Sequence, residues 1–326
     1  MDIAVRREIL PLVRRAQRVL IIAHIAPDGD CIGSLLALGQ ALRELGKQVV
    51  LACADQVPPQ YSFLPGHEVI TRCPAGSFQL LMSVDCSDIQ RMGPAYRPAA
   101  FAHLPVINID HHMTNVLFGT VNWVDTRSAS TAELIYDLIE EMAVPISADV
   151  ALCLLTGIVT DTRCFRTSNT TTRTMRVATR LMEAGASLDL ITEQVLNRRP
   201  LGMIRLWGEA LKTLRLRNRV IWVDITQAML EQTGVEEGDL SGGLSSFLVA
   251  AHEADVSAVF TETTRNEVEV SLRSVPGVDV SEAAVQLGGG GHPQASGCTV
   301  GGTLQEARQR VLAVLDLSLA RQRARK

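Results

Sequence analysis

Short apolar runs that stop abruptly on aspartate or histidine constrain this chain more than any other feature. Val19–Ala23 leads into His24-Ile-Ala-Pro-Asp28-Gly-Asp30, Leu80–Val84 into Asp85, and Val106–Ile109 into Asp110-His111-His112. A fourth run, Leu152–Thr160, stops at Asp161; it is long for a strand and predicts a buried helix over Asp149–Thr160. Together with Val49–Cys53 and Val121–Val124, the short runs lack the alternation of half-exposed strands, and helical patterns over Gly33–Gly46 and Ser130–Met142 lie between them. Strands buried on both faces and joined by helices make a parallel sheet. Ligands of such sheets collect beyond the carboxyl ends of the strands, so the topology gathers acids and histidines that the sequence separates.

A chain of 326 residues suits two domains, each with its own core. From Thr192 to Arg217 the composition turns charged, with Arg198, Arg199, Arg205, Lys212, Arg215 and Arg217, and reads as a helical connector. Beyond it, Arg219–Ile225, Val256–Thr261 and Val268–Arg273 read as strands, with helices near Leu240–Glu253, Val280–Leu287 and Leu304–Ala320 and a frayed basic end, Arg321–Lys326. The expected fold is α/β. A parallel Rossmann-like sheet with helices on both faces occupies residues 1–191, a helical linker 192–217, and a smaller α/β domain with a mixed sheet 218–326.

Composition excludes several classes. A net charge of −4 gives no footprint for duplex DNA, whose binders carry a marked basic excess, although metal ions would supply positive charge locally for a small phosphate ligand. Seven cysteines, an odd number without CxxC pairs, indicate neither a disulfide framework nor a thiolate zinc site, and point to the reducing cytoplasm. The first apolar run contains His24 and ends in Pro27-Asp28 instead of a signal-peptide cleavage site, and no run approaches the ~20 apolar residues of a membrane span.

Taken singly, each acid or histidine has a bland reading: an Asp after a strand is most often a helix cap or turn former, and His67, His103 and His252 read as surface or packing residues. Repetition changes the balance. Mixed imidazole and carboxylate donors suit an ion of intermediate hardness such as Mn²⁺. Five or six converging groups would leave donors unused around one ion, so two ions, about 3.5–4 Å apart, fit better.

Four of these segments, His24-x-x-Pro27-Asp28-x-Asp30-x-x-Gly33-Ser34, Val84-Asp85-Cys-Ser-Asp88, Asp110-His111-His112-x-x-Asn115 and Gly157-Ile-Val-Thr-Asp161-Thr162, resemble the motifs of the DHH phosphoesterase family. Gly288-Gly289-Gly290-Gly291-His292-x-x-Ala295-x-Gly297 resembles the hallmark of the DHH-associated C-terminal domain. The resemblance implies one Mn²⁺ on His24, Asp28 and Asp85 and a second on Asp30, Asp85, His111 and Asp161, with Mg²⁺ or Co²⁺ as alternatives. It also implies that His112 faces the scissile phosphate and that Asp110 orients a histidine, so that His112, Asp85 and Asp110 form the catalytic set. Asn115, Arg273, Gly289, Gly290, Gly291 and His292 would bind substrate. On physical grounds a run of glycines lets backbone N–H groups approach phosphate, although a bare run is also a flexible turn.

Within the family, RecJ-like exonucleases are longer and usually lack the leading histidine, family II pyrophosphatases lack the glycine-rich motif, and membrane-bound cyclic-di-AMP phosphodiesterases carry transmembrane helices ahead of the first motif. The remaining resemblance is to compact bifunctional enzymes that degrade very short RNAs (nanoRNA) to mononucleotides and dephosphorylate 3′-phosphoadenosine 5′-phosphate (PAP) to AMP. It implies hydroxide attack between two metals, short single-stranded RNA or small nucleotide phosphates as partners, no duplex DNA or membrane, and a monomer or homodimer. Two alternatives stand beside it: a phosphodiesterase for pApA or cyclic dinucleotides, and a nucleotide-binding module without catalysis.

Overall fold

In a computed structural model of the protein, residues 3–235 and 243–324 are described. The chain divides into two compact units, Met1–Arg198 and Arg199–Lys326. The first holds α1 (Ile3–Arg15), β1 (Arg18–Ala23), α2 (Gly29–Glu44), β2 (Gln48–Ala52), β3 (Leu80–Val84), α3 (Pro98–Phe101), β4 (Val106–Asp110), β5 (Val121–Val124), α4 (Thr131–Glu141), α5 (Ala148–Asp161), α6 (Thr172–Glu183) and α7 (Leu188–Thr192). Its five strands are all parallel, in the order β2-β1-β3-β4-β5.

The continuous apolar runs are explained by burial on two faces. Along β1, Val19, Ile21 and Ala23 enter the core shared with α2, α4 and α5, whereas Leu20 and Ile22 enter a second layer with Leu81, Met92 and Phe101. Successive strand residues point to opposite faces, so both faces of the strands are buried, and the polar residues inside them, Ser83 and Asn108, are fully buried too. The second layer is closed by the 3₁₀ segment Ile89–Ala95 and the short α3, thinner cover than the full helices of the other face.

Helix α2 starts at Gly29, four residues before the expected Gly33, because the Asp28 carboxylate caps it by accepting from the Cys31 amide at 3.0 Å. Two helices escape a pattern-based reading. Pro11, a residue helices disfavour, lies inside α1, and α6 opens with a capping box whose third residue is Thr174 instead of Glu or Gln.

The second unit holds α8 (Leu201–Leu211), β6 (Arg215–Arg217), β7 (Val220–Ile225), α9 (Gln227–Thr233), α10 (Leu244–Leu248), β8 (Val256–Glu262), β9 (Glu267–Ser274), α11 (Ser281–Gln286), β10 (Gly290–His292), β11 (Ala295–Gly301) and α12 (Leu304–Ala324). Its sheet runs β10-β11-β9-β8-β7-β6 and is mixed, since β7 and β8 are parallel and the other pairs antiparallel. Val220 and Trp222 join α11 and α12 in one core, and Ile221, Val223 and Ile225 join α8, α9 and α10 in another.

Several expectations need correction here. The stretch 192–217 is not one helix: it contains a π-type turn at Glu193–Asn197, then α8 after Pro200, then the edge strand β6. Proline disfavours helix in the residue before it, which separates the pieces. The helix near Leu240–Glu253 is the shorter α10, and residues 240–242 lie outside the described residues. Arg321–Ala324 continue α12 instead of fraying, and residues 325–326 lie outside the described residues. The glycine-rich segment is not an open loop, because Gly290–His292 pair with Ala295–Gly297 as an antiparallel hairpin. Among the described residues no helix is long and apolar enough to cross a membrane.

Candidate metal centre

A sheet ordered 2-1-3-4-5 changes direction between β1 and β3, and ligands of such sheets sit at that switch. His24 follows β1 and Asp85 follows β3, so the two flank it directly. Asp28 caps α2 and Asp30 lies in its first turn, Asp110 ends β4 with His111 and His112 behind it, and Asp161 ends α5. Eight side chains from four segments thereby converge.

Donor atoms of all of these but Asp110 form three overlapping groups, His24–Asp28–Asp85, Asp30–His111–Asp161 and Asp85–His111–His112, each with its atoms within 4.8 Å of one another. Asp85 and His111 each belong to two groups. His24 Nε2 lies 3.3 Å from Asp85 and 3.9 Å from Asp28. His111 Nε2 lies 3.1 Å from Asp161, 3.7 Å from Asp85 and 3.9 Å from Asp30. Asp85 has φ of +60°, a left-handed conformation uncommon for any residue but glycine, and Asp and Asn tolerate it best.

The carboxylates are held from behind. Asp30, fully buried, accepts from the amides of Thr131 (2.6 Å) and Ala132 (2.8 Å) at the start of α4 and from the Ser34 hydroxyl (3.3 Å). The Thr131 hydroxyl donates to Asp85 at 2.9 Å. Thr131 therefore touches two candidate ligands, and no acid-and-histidine search finds it; the only signal is its place after the Ser130 cap. Two glycines set the distances. A Cβ on Gly33 would lie 2.3 Å from the Cys153 carbonyl oxygen, and one on Gly157 would lie 2.6 Å from Asp30 Oδ1, so α2 and α5 meet with almost no side chain between them.

Asp110, also fully buried, accepts from the His112 ring at Nδ1 (2.7 Å) and from the Asn115 amide (2.6 Å). Asn115 is occupied at both ends, since its Oδ1 accepts from the Leu117 amide at 2.7 Å. The His24 Nδ1 lies 2.6 Å from the Ile25 carbonyl and 3.0 Å from the Arg91 guanidinium, so it faces away from the cluster, and Nε2 faces Asp85.

These charges act strongly on one another. Burial opposes a charge on His24, but Asp85 and Asp28 push the imidazole up to about 9. Burial, then the like charges of Asp85 and Asp161, hold Asp30 well above the usual carboxylate range. Burial opposes protonation of His111 too, yet the bond to Asp161 and the charges of Asp161, Asp85 and Asp30 raise it well above its ordinary value. Asp85 moves the other way: burial opposes its charge, yet His24, His112 and His111 hold it well below the usual carboxylate range. The donors are nitrogen and carboxylate oxygen without a thiolate, a set that fits divalent ions of the Mg²⁺ to Mn²⁺ range.

In the second unit, Arg273 of β9 and His292 of β10 both pair in register with Ala295 of β11, which lies between them. Residues in one register row share a sheet face, so the two basic side chains stand on the same side, on either side of a small residue. The glycines have a packing reason: a Cβ on Gly289 would lie 2.0 Å from the Gly297 carbonyl oxygen, and one on Gly291, whose φ is +136°, would lie 2.5 Å from the Ala295 carbonyl oxygen.

A parallel sheet carrying clustered carboxylates and imidazoles at its strand ends, in a chain with a second unit built on a mixed sheet, defines the class of two-domain α/β phosphoesterases. Residues 18–158 match the N-terminal domain of the DHH family and residues 223–320 the DHHA1 domain. The chain belongs to the DHH family. It is 37% identical over 93% of its length to the bifunctional oligoribonuclease and PAP phosphatase NrnA of Thermus thermophilus, covering 90% of that protein. It is 27% identical over 90% of its length to the Bacillus subtilis protein of the same name, covering 93% of it. Among solved structures, an exopolyphosphatase-related protein from Bacteroides fragilis shares the fold, with a TM-score of 0.91 at 24% identity over 99% of both chains.

Proposed function

We propose that this protein is a divalent-metal-dependent phosphoesterase that hydrolyses RNAs a few nucleotides long to mononucleotides and removes the 3′-phosphate of PAP to leave AMP. The observation that carries the reading is the interlocking of three donor groups through Asp85 and His111. The similarity to the two NrnA proteins over nine-tenths of the chain supplies the substrate class. His24, Asp28 and Asp85 would hold one Mn²⁺, and Asp30, Asp85, His111 and Asp161 the other. When bound, the ions supply an activated water as nucleophile and offset the charge that builds on the phosphoryl group.

The chain's own residues orient and protonate. Asp110 engages His112 at Nδ1, which leaves Nε2 to hold a proton for the departing oxygen. Asn115, whose amide is taken up by Asp110, contributes by holding that carboxylate instead of reaching substrate. The first unit, Met1–Arg198, is assigned to catalysis and the second, Arg199–Lys326, to substrate binding, with Arg273 and His292 as paired phosphate contacts and Gly289, Gly290 and Gly291 as the backbone between α11 and His292. All seven cysteines are free thiols, which suits the cytoplasm as its place of work.

A side-by-side time course on a short RNA, PAP, pApA and cyclic di-AMP tests the function. PAP and the RNA should be turned over in Mn²⁺, chelation should stop the reaction, and added Mn²⁺ should restore it. Undiminished turnover in chelator would remove the metals from the reaction, and a strong preference for pApA or cyclic di-AMP would replace the substrate assignment.

Thr131 offers a finer check on the donor set. Thr131→Val keeps the shape but deletes the bond to Asp85, and a hydrogen bond to a charged group contributes about 1.5–3 kcal/mol. Calorimetry should show Mn²⁺ binding weakened on the order of tenfold or more in Thr131→Val and restored in Thr131→Ser; equal affinity in all three proteins would show that the bond does not steady Asp85.

A further inference from the structure

We infer that Arg163 is a further substrate contact, its guanidinium taking a phosphate of the nucleotide substrate beside the metal centre. The inference rests on the phosphoesterase reading above and names a residue of that site.

Immediately after Asp161 and Thr162 the backbone does something L-residues avoid. Arg163, Cys164 and Phe165 have φ of +47°, +61° and +62°, three consecutive non-glycine residues in the left-handed region. Each carries a steric cost of about 1–2 kcal/mol. The turn is nevertheless over-determined. The buried Thr162 hydroxyl donates to the Ile158 carbonyl (2.6 Å) and accepts from the Phe165 amide (2.9 Å), the Cys164 amide donates to the Val159 carbonyl (2.7 Å), and the Arg166 amide to the Thr162 carbonyl (2.8 Å). Strain held in place by this many bonds next to a reaction centre points to function.

Of the three strained residues, Cys164 and Phe165 pack against the hydrophobic core. Arg163 remains. It is half-buried, and among the described residues its guanidinium makes no hydrogen bond or ion pair, while the neighbouring Arg166 uses its own Nε to hold the Arg163 carbonyl at 2.9 Å. Burial, then the like charge of Arg166, disfavours its charged form, and Asp161 attracts it without forming an ion pair. A planar, half-buried guanidinium without a hydrogen-bond or ion-pair partner among the described residues, two residues beyond a candidate metal ligand, fits a phosphate, to which arginine presents a bidentate fork.

The test compares wild type with Arg163→Gln and Arg163→Gly on PAP and a short RNA. KM should rise about 10- to 100-fold in both variants with kcat within about threefold, since the contact is made in the ground state as well as the transition state. Arg163→Lys should recover part of the loss. The rise in melting temperature on adding Mn²⁺ should be the same in all four proteins, and Arg163→Gly, which relieves the positive φ, should melt no lower than wild type. Unchanged KM in both deletion variants overturns the proposal; so does a lost Mn²⁺ response, which would reduce Arg163 to a support for Asp161. If the wild-type protein hydrolyses none of the nucleotides, the phosphoesterase reading fails instead, and calorimetric binding of PAP with and without Arg163 still decides the residue's role.

Discussion

Asp85→Asn should lower kcat by about a thousandfold or more while leaving the fold in place. Asparagine tolerates the left-handed backbone at φ of +60°, and its carbonyl oxygen can still accept from Thr131, so neither geometry nor packing is disturbed. What disappears is the one negative charge common to the His24–Asp28 and the His111–His112 groups. In wild type, Mn²⁺ at about 100 times its dissociation constant adds roughly 2.7 kcal/mol to stability. Melting with and without Mn²⁺ should show that increment shrunken or absent in Asp85→Asn, with the metal-free melting temperature near that of wild type. A folded variant with full activity would refute the two-metal assignment.

The second large effect is expected from a methyl group. Gly33→Ala would put a Cβ 2.3 Å from the Cys153 carbonyl oxygen and 3.2 Å from the Gly157 nitrogen, both backbone atoms on the facing helix. Neither can rotate away, so α2 and α5 must separate, at about 3 kcal/mol or more of stability. Gly157→Ala differs in kind, because its Cβ would meet Asp30 Oδ1 at 2.6 Å. Urea denaturation should show the larger loss of stability for Gly33→Ala, and Gly157→Ala should additionally lose much of its Mn²⁺ response. Equal stability of Gly33→Ala and wild type would mean that the helix crossing is looser than the contacts indicate.

Much of the site was legible in the chain because strand ends are punctuated. The interior of a strand buried on both faces carries no charge, so the first ionisable residue after Ala23, Val84 or Ile109 marks the rim where ligands bind. The start of α2 was misplaced by four residues, since an Asp-Gly-Asp sequence reads as a turn until Asp28 is seen capping the helix. The hairpin at Gly290–His292 read as a loop, because four glycines carry no strand propensity and only the close approach of β11 explains them. Thr131 and Arg163 were not legible at all. Their contribution lies in what their atoms face, and neither residue type announces that.

By itself the sequence determined the parallel sheet, the side of it on which chemistry collects, and the identities of the acids and histidines there, because burial and the strand period leave few other solutions. Only the tertiary structure decided how those groups are shared. Which donors lie within reach of one another, that Asp85 and His111 link the groups, and that the start of α4 steadies Asp30 are matters of a few ångströms set by the α2–α5 crossing. Such distances come from close packing between segments more than a hundred residues apart, and no local pattern encodes them.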